Sequence, residues 1–407
     1  MRKQMGTLPA DLRKENQRKV MKYMLRKGET TIADIAENLD ISRLTVKKCV
    51  DYYIDKGIMV SCGKGDSTET GGKKPLVYGL CEDKYMVCIQ LHRHEVIVSV
   101  VNMDNKILYT WLSGKTEINN LEEFWRIAEK LTVDNMDEDV RHKIQACCVV
   151  VPIITDANHK ITVVSPFPKW PQTDIGRILT EPFARLFPNI ILCDVISDSC
   201  AAGAALIEEY ENMEKNPSLV TFYIYQGVGG AIFQNGETDN KFGRAWGHII
   251  VREEDEEVCH CGAHGCLEKI ISRERMRKRL AEDGLYRESI LSKKNIDDIE
   301  YEDLFAASQQ GDKLAQKEVC YCAKMFSAVV RNVILSVEPD CIYVQGDFGK
   351  ADDLFKAEVL SQLEGMVIIG NRYADSIYYD DNPVKCQEIH GAAYLMLLEY
   401  IDNIITA

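Results

Sequence analysis

The feature that most constrains this 407-residue chain is the stretch Cys259–Glu268, which reads Cys-His-Cys-Gly-Ala-His-Gly-Cys-Leu-Glu and follows Gly247-His248. Three thiols and an imidazole fall within about twenty residues, and two glycines allow the backbone to turn tightly between them. Such a set of four ligands suits a tetrahedral Zn²⁺ ion that has no open coordination position. The sequence therefore predicts a structural rather than a catalytic zinc site.

The ligands predicted for this zinc ion are one histidine and three cysteines: His248, Cys259, Cys261 and Cys266. His260 and His264 are possible replacement ligands. The alternatives are reduced core cysteines beside a surface histidine, or a redox pair. The interposed Gly-x-x-Gly-Cys spacing favours zinc over both alternatives.

Two N-cap signals near the start of the chain predict a helix-turn-helix. A helical apolar pattern over residues 15–27 ends at Gly28, and Thr31 then caps a second short helix. After a brief turn Ser42 caps a third helix, whose apolar face leaves polar side chains outward near its start. The side chains expected at the DNA major groove are Ser42, Arg43, Thr45, Lys47 and Lys48.

A glycine-rich basic loop, residues 63–75, lies between two short apolar segments that predict a β-hairpin. Its Lys73 and Lys74 are expected against the DNA backbone or in the minor groove, as the wing of a winged helix. Residues 1–80 carry 16 Lys and Arg against 10 Asp and Glu, whereas the other 327 residues carry 33 against 53. A basic head on an acidic body favours double-stranded DNA as the partner. A three-helix protein-interaction module is the alternative.

The remainder of the chain has the pattern of an α/β protein. Strands are predicted at 86–89, 96–101, 106–109, 147–151, 222–225, 231–233 and 340–345, with helices at 120–132 and 314–335. We divide the chain into a winged helix-turn-helix over 1–80, a first body lobe over 81–200 and a second over 201–407. The C-terminal helix is expected to pack back on the first lobe.

The pair Gly-His followed by Cys-x-Cys-Gly-x-x-Gly-Cys-x-Glu resembles the signature of the ROK family, which contains sugar kinases and sugar-responsive transcriptional repressors. The resemblance implies a two-lobed, actin-like and ribonuclease-H-like body in which the histidine and three cysteines hold zinc. It also implies that the closing glutamate, Glu268, binds a sugar hydroxyl. The head with its Gly-Gly-basic-basic-Pro wing resembles that of the family's repressors, and the kinases normally lack such a head.

The residues that bind ATP in the family's kinases are largely replaced. Kinases carry Asp-x-Gly-Gly-Thr after the first strand, where this chain has Gln90-Leu91-His92-Arg93-His94. The second phosphate loop survives in part as Gly227–Gly230, for which a plain hairpin turn is the favoured interpretation. Gly346-Asp347-Phe348-Gly349 stands where kinases have a glycine run near the nucleotide. ATP binding and catalysis are therefore not expected.

The sugar-binding residues implied by the resemblance are also only partly present. Asp198 stands at the position of the kinase general base, but Ser197 and Cys200 replace asparagines, and Asp198 could equally be a helix N-cap. Trp170 remains without its neighbouring asparagine, and Ala245 replaces a carboxylate. The candidate ligand-binding residues are Asp198, His248 and Glu268.

Together these features predict a cytoplasmic DNA-binding regulator, most often a repressor in this family, acting on carbohydrate-related genes as a homodimer or homotetramer. A sugar or sugar phosphate is the expected effector. Residues 1–4 lead into no apolar run, so no signal peptide is expected, and no stretch approaches the ~18 apolar residues of a membrane span. The alternatives are an ATP-dependent sugar kinase and a regulator that has lost its sugar effector.

Overall fold

The computed structural model describes residues 9–65, 74–155, 162–164, 181–209, 218–238, 240–366 and 368–406. The chain divides into two compact units. The first comprises residues 1–150, 176–195 and 392–407, and the second comprises 151–175 and 196–391. The three-part division made from the sequence stays a prediction.

The N-terminal head is a winged helix-turn-helix. Its elements are α1 (Pro9–Lys27), β1 (Thr30–Thr31), α2 (Ile32–Leu39), α3 (Arg43–Asp55), β2 (Met59–Lys64) and β3 (Leu76–Leu80). The strands form an antiparallel sheet in the order β1-β3-β2. Both predicted caps are confirmed: the Thr31 hydroxyl accepts from the Asp34 N–H, and the Ser42 hydroxyl accepts from the Thr45 N–H, each at 3.2 Å. The apolar pattern predicted that α1 begins at residue 15, whereas the helix begins at Pro9.

The first body sheet has the strand order β10-β7-β4-β5-β6. Its strands are β4 (Tyr85–His92), β5 (Glu95–Asn102), β6 (Ile107–Leu112), β7 (Ile144–Val151) and β10 (Leu192–Ser197), accompanied by α4 (Leu121–Asn135) and α5 (Glu138–Lys143). A short pair, β8 (Ile154–Thr155) and β9 (Thr162–Val164), follows β7. The predicted meander is confirmed, because β4, β5 and β6 pair antiparallel while β7 runs parallel to β4.

The segment that replaces the kinase phosphate loop is an ordinary hairpin turn. The strand β4 continues to His92, which pairs with Glu95 of β5 across the two residues Arg93 and His94. The side chains of Gln90 and His92 are buried. The backbone is therefore occupied by sheet pairing at this position.

The second body sheet has the order β12-β11-β13-β14. Its strands are β11 (Ser218–Ile224), β12 (Val228–Gln234), β13 (Cys341–Gly346) and β14 (Ile377–Tyr379). The accompanying helices are α6 (Asp198–Glu209), α7 (Leu267–Ile270), α8 (Arg273–Glu282), α9 (Tyr301–Gln309), α10 (Lys313–Val337), α11 (Asp353–Glu364) and α12 (Val384–Thr406). Ile224 pairs with Val228 across the turn that contains Gly227, so the hairpin interpretation of this glycine segment is confirmed.

The helix α10 is the central core helix of the second unit. It is the one described helix that is long and apolar enough to cross a membrane, and half of its apolar window is buried inside the protein. Phe326 of α10 packs edge-on against Phe222 of β11 and Phe348 after β13. These contacts account for its apolar composition, since a buried core helix must be apolar on most of its surface.

The last turns of α12 pack in the first unit, against the head. The Tyr52 hydroxyl on α3 donates to the Ile404 carbonyl oxygen at 2.8 Å. Arg18 on α1 forms an exposed ion pair with Asp402 at 2.5 Å. The winged helix-turn-helix is thus contacted by α12.

Candidate functional site

The four predicted metal ligands converge in the structure. The Sγ atom of Cys259 lies 3.5 Å from Nδ1 of His248, and the Sγ atoms of Cys261 and Cys266 are 3.6 Å apart. All four donor atoms lie within 4.8 Å of one another. The cluster could hold a metal ion.

A tightly hydrogen-bonded loop holds the three cysteines in place. The Cys259 N–H donates to the Ala263 carbonyl oxygen at 2.8 Å, and Ile250 forms an isolated bridge with Cys266. Gly265 has a positive φ of 69°, and a Cβ atom there would lie 1.9 Å from the Arg252 carbonyl oxygen. Only glycine fits this position, which explains one of the two glycines in the motif.

Burial shifts the pKa values of two of the predicted ligands, His248 and Cys266. Burial lowers the pKa of His248, which favours the neutral imidazole that a metal requires. Burial, reinforced by hydrogen bonding from the neighbouring cysteines, raises the pKa of Cys266 to about 12. A bound cation would therefore have to displace the proton of this thiol, because thiolate is the ligating form.

The two possible replacement ligands have other neighbours. Nδ1 of His264 lies 3.0 Å from the Asp255 carbonyl oxygen. Nδ1 of His260 lies 3.4 Å from a carboxylate oxygen of Glu268, and its ring centroid is 5.0 Å from that of His248. His248, His260 and Glu268 form a second group whose donor atoms lie within 4.8 Å of one another.

A cavity of about 300 Å³ lies beside the cysteine cluster, within the second unit. Its lining includes all three predicted ligand-binding residues, Asp198, His248 and Glu268. The polar side chains that the sequence reasoning missed are Thr155, Ser199, Tyr223, Gln226, Asn240, Arg244 and His260. His260 could have been suspected from its place between two ligand cysteines, and Ser199 and Gln226 from their places beside Asp198 and Gly227.

Glu268 connects the cysteine loop to the β11–β12 hairpin. Its carboxylate accepts a hydrogen bond from the Val228 N–H at 2.7 Å. A Cβ atom on Gly227 would lie 2.6 Å from the same carboxylate oxygen, so this glycine admits the glutamate to the turn. The position of Glu268 in the cavity thus depends on both the loop and the hairpin.

Asp198 is the first residue of α6, and the N-cap residue of this helix is Ser197 rather than Asp198. The Ser197 hydroxyl accepts from the Cys200 N–H at 3.1 Å, which is the N-cap bond. The Asp198 carboxylate accepts from the adjacent Ser199 N–H at 2.7 Å and borders the cavity.

A second lining residue, Tyr223, is bonded to an acidic side chain: its hydroxyl donates to the buried carboxylate of Glu388. Burial and this carboxylate raise the pKa of Tyr223 well above its usual value.

The segment aligned with the nucleotide glycine run is bridged by an arginine. Arg273, at the start of α8, donates to the Tyr225 carbonyl oxygen at 2.5 Å. It also donates to the carboxylate of Asp347. Its Nε also donates to Glu300. Trp170, the tryptophan of the predicted sugar segment, lies outside the described residues.

Five of the seven predicted DNA-contacting residues lie at the start of α3, where they have different environments. The hydroxyls of Ser42 and Thr45 are 2.9 Å apart, and Lys47 pairs with Asp51 at 2.6 Å. Arg43 and Lys48 are exposed, and Lys74 is exposed at the base of the wing. Lys73 lies outside the described residues.

A winged helix-turn-helix ahead of a two-sheet α/β body with a Cys/His cluster is the architecture of a DNA-binding transcriptional regulator with a sugar-kinase-like effector body. The chain belongs to the ROK family: the family model matches residues 86–398, and a winged helix-turn-helix DNA-binding model matches residues 13–58.

Its relatives include transcriptional regulators. The DNA-binding transcriptional dual regulator NagC of Escherichia coli is 23% identical over 334 residues, covering 80% of this chain and 78% of NagC. The xylose repressor of Caldicellulosiruptor bescii is 22% identical over 361 residues, covering 84% of this chain and 86% of the repressor. The crystal structure of a ROK family transcriptional regulator, a homologue of the E. coli MLC protein, superimposes with a TM-score of 0.74 at 16% identity, covering 97% of this chain and 99% of that chain.

Proposed function

We propose that this protein is a cytoplasmic repressor of carbohydrate-related genes that binds double-stranded DNA through α3 and answers to a sugar or sugar phosphate bound in the body. The observation that carries this proposal is the winged helix-turn-helix at 13–58 ahead of a ROK body whose cavity retains three ligand-binding candidates. The sugar specificities named for relatives guide the choice of ligand class only.

The start of α3 is suited to the major groove. Arg43 and Lys48 are exposed there, and arginine and lysine are the side chains that read guanine edges most often. Ser42 and Thr45 fix the helix end by bonding to each other and to the backbone. Lys73 and Lys74 are assigned to the phosphate backbone, where they would contribute affinity without sequence preference. One head buries little surface, so a homodimer or homotetramer on a palindromic site is the expected binding form.

Zinc is the ion that best fits the cysteine cluster. A tetrahedral zinc with bonds of roughly 2.0–2.3 Å would separate its ligand atoms by about 3.5–3.8 Å. The separations of 3.5 Å between Cys259 and His248, and 3.6 Å between Cys261 and Cys266, match that geometry. Three thiolates and one imidazole leave no position for a reactive water, so the ion would stabilise the loop that carries Glu268.

The cavity chemistry favours a small polyhydroxylated ligand. Two carboxylates, Asp198 and Glu268, can accept hydrogen bonds from hydroxyl groups, and the cationic side chain of Arg244 also lines the cavity. One oxygen of Glu268 is already held by the Val228 N–H, which orients the carboxylate before a ligand arrives. The family also includes sugar kinases. We expect no catalysis, because Gln90–His94 lacks the carboxylate and glycines of the kinase phosphate loop and Arg273 bridges Tyr225 and Asp347.

Selection of duplexes from a randomised library, followed by fluorescence anisotropy with and without sugars, tests this function. We expect one enriched palindromic sequence and weaker binding in the presence of a sugar or sugar phosphate. A thermal-shift panel would identify the effector, since a ligand at 100 times its Kd adds ~2.7 kcal/mol to stability. If no sequence is enriched, the proposal that the protein is a DNA-binding regulator is wrong. If a sequence is enriched but no sugar alters binding to it, the protein is a regulator without a sugar effector.

A further inference from the structure

The recognition helix α3 presents one large apolar side chain to solvent. Leu44, the second residue of the helix, is 66% exposed, although leucine gains by burial. Single exposed leucines are common on proteins and need no explanation by themselves. Leu44 differs because of its place in the first turn of the helix predicted to read DNA.

Helical spacing puts Leu44 on the face opposite the core. The buried residues of α3 are Val46, Cys49, Val50 and Tyr53. Leu44, Lys47, Lys48 and Asp51 follow the i, i+3, i+4, i+7 spacing of one face, and all four are exposed. With Arg43 beside it, Leu44 is an apolar group within a face that carries a net positive charge. Such a face favours a polyanion over a second copy of itself.

Some of the polar groups near Leu44 already form hydrogen bonds or ion pairs within the head. The hydroxyls of Ser42 and Thr45 bond to each other, and Lys47 is paired with Asp51. Leu44 can form no hydrogen bond, so it can read DNA only through an apolar contact. The major groove offers one apolar group on its base edges, the 5-methyl group of thymine.

We propose that Leu44 contacts a thymine 5-methyl group in the major groove and thereby selects an A·T pair at one position of each half-site. This inference rests on the proposed placement of α3 in that groove. Within that placement it assigns Leu44 a role in specificity beside the charged contacts of Arg43.

Removal of single methyl groups from the DNA tests the contact. The duplex enriched from the randomised library is resynthesised with each thymine in turn replaced by deoxyuridine, which lacks only the 5-methyl group. Burial of one such carbon is worth ~0.8 kcal/mol, or about a fourfold change in Kd. We expect one thymine per half-site whose replacement weakens the wild-type protein about fourfold, and Leu44→Ala to bind both duplexes equally.

Ile54→Ala is the matched control, because Ile54 is an exposed apolar residue of the same helix, ~15 Å along its axis from Leu44. This variant should keep the wild-type response to deoxyuridine. The inference is overturned if no thymine shows the effect, if Leu44→Ala retains it, or if Leu44→Ala changes the oligomeric state by light scattering. Each of these results can occur while Arg43→Ala still relaxes sequence preference, so they are distinguishable from failure of the proposed DNA-binding mode.

Discussion

The Tyr52 hydroxyl donates a 2.8 Å hydrogen bond to the carbonyl oxygen of Ile404, a residue 352 positions further along the chain. Tyr52 lies on α3, whose first turn carries the predicted DNA contacts. Ile404 lies near the end of α12, where backbone carbonyls lack partners within the helix. One bond therefore satisfies a helix-terminal acceptor and anchors the recognition helix.

Removing this hydroxyl should weaken the head. Tyr52→Phe is expected to lower the free energy of unfolding by about 1 kcal/mol, the usual net worth of such a bond. Arg18→Ala is the comparison, because the Arg18–Asp402 pair is exposed and such pairs contribute ~0–1 kcal/mol. Urea unfolding followed by intrinsic fluorescence measures both. A loss no larger for Tyr52→Phe than for Arg18→Ala would contradict the anchoring role.

Disruption of the cysteine cluster should remove the metal. Cys261→Ser is expected to bind less than one zinc per chain and to melt at a lower temperature than the wild type, because three ligands hold zinc more weakly than four. Metal content is measured by elemental analysis of the purified protein. Cys320→Ser, at a half-exposed cysteine outside the cluster, should retain a full equivalent. Full zinc retention by Cys261→Ser would refute the ligand assignment.

The two groups of basic residues in the head should differ in their effect on DNA binding. Arg43→Ala is expected to weaken binding to the selected site by ~1–3 kcal/mol and to relax its sequence preference. Lys73→Ala and Lys74→Ala should weaken binding to all duplexes alike and flatten the salt dependence, because phosphate contacts release counterions. Anisotropy titrations at several salt concentrations separate the two patterns. If all three variants lose the same amount of affinity on every sequence, α3 contributes only nonspecific electrostatic binding and the predicted base contacts are wrong.

Sugar phosphorylation should be absent. Phosphoryl transfer depends on positioning and charge neutralisation around the phosphates, and Gln90–His94 lacks the carboxylate and the glycines of the kinase phosphate loop. Asp198 alone could supply only ~10²–10⁴-fold as a general base. A coupled ADP-release assay over hexoses and amino sugars should match the background without protein. Turnover near ~1 s⁻¹ that disappears in Asp198→Asn would establish a kinase instead.

Local signals in the sequence predicted the elements whose stabilising contacts are themselves local. Thr31 and Ser42 were identified as caps because each bonds to a backbone N–H three residues away. The early start of α1 was missed because its first turns contain few apolar residues at helical spacing. At α6 the cap bond is formed by Ser197, one residue before Asp198, so the alternative interpretation of Asp198 as the N-cap is wrong.

The cavity was predictable only in part, for a similar reason. The cysteine motif predicted His248 as a metal ligand, and the family resemblance implied that Glu268 binds the ligand. The bond from the Val228 N–H to Glu268 spans 40 residues, and the bond from Tyr223 to Glu388 spans 165. Contacts of that range depend on how the strands and helices assemble, and no local pattern encodes them.

The anchoring of α3 by the last helix also sets an order of events during synthesis. Tyr52 is synthesised 352 residues before Ile404, the residue that it contacts, and Arg18 precedes Asp402 by 384 residues. A nascent head therefore lacks these contacts until translation has passed residue 404. Chains that terminate before residue 402 would carry α3 without either contact.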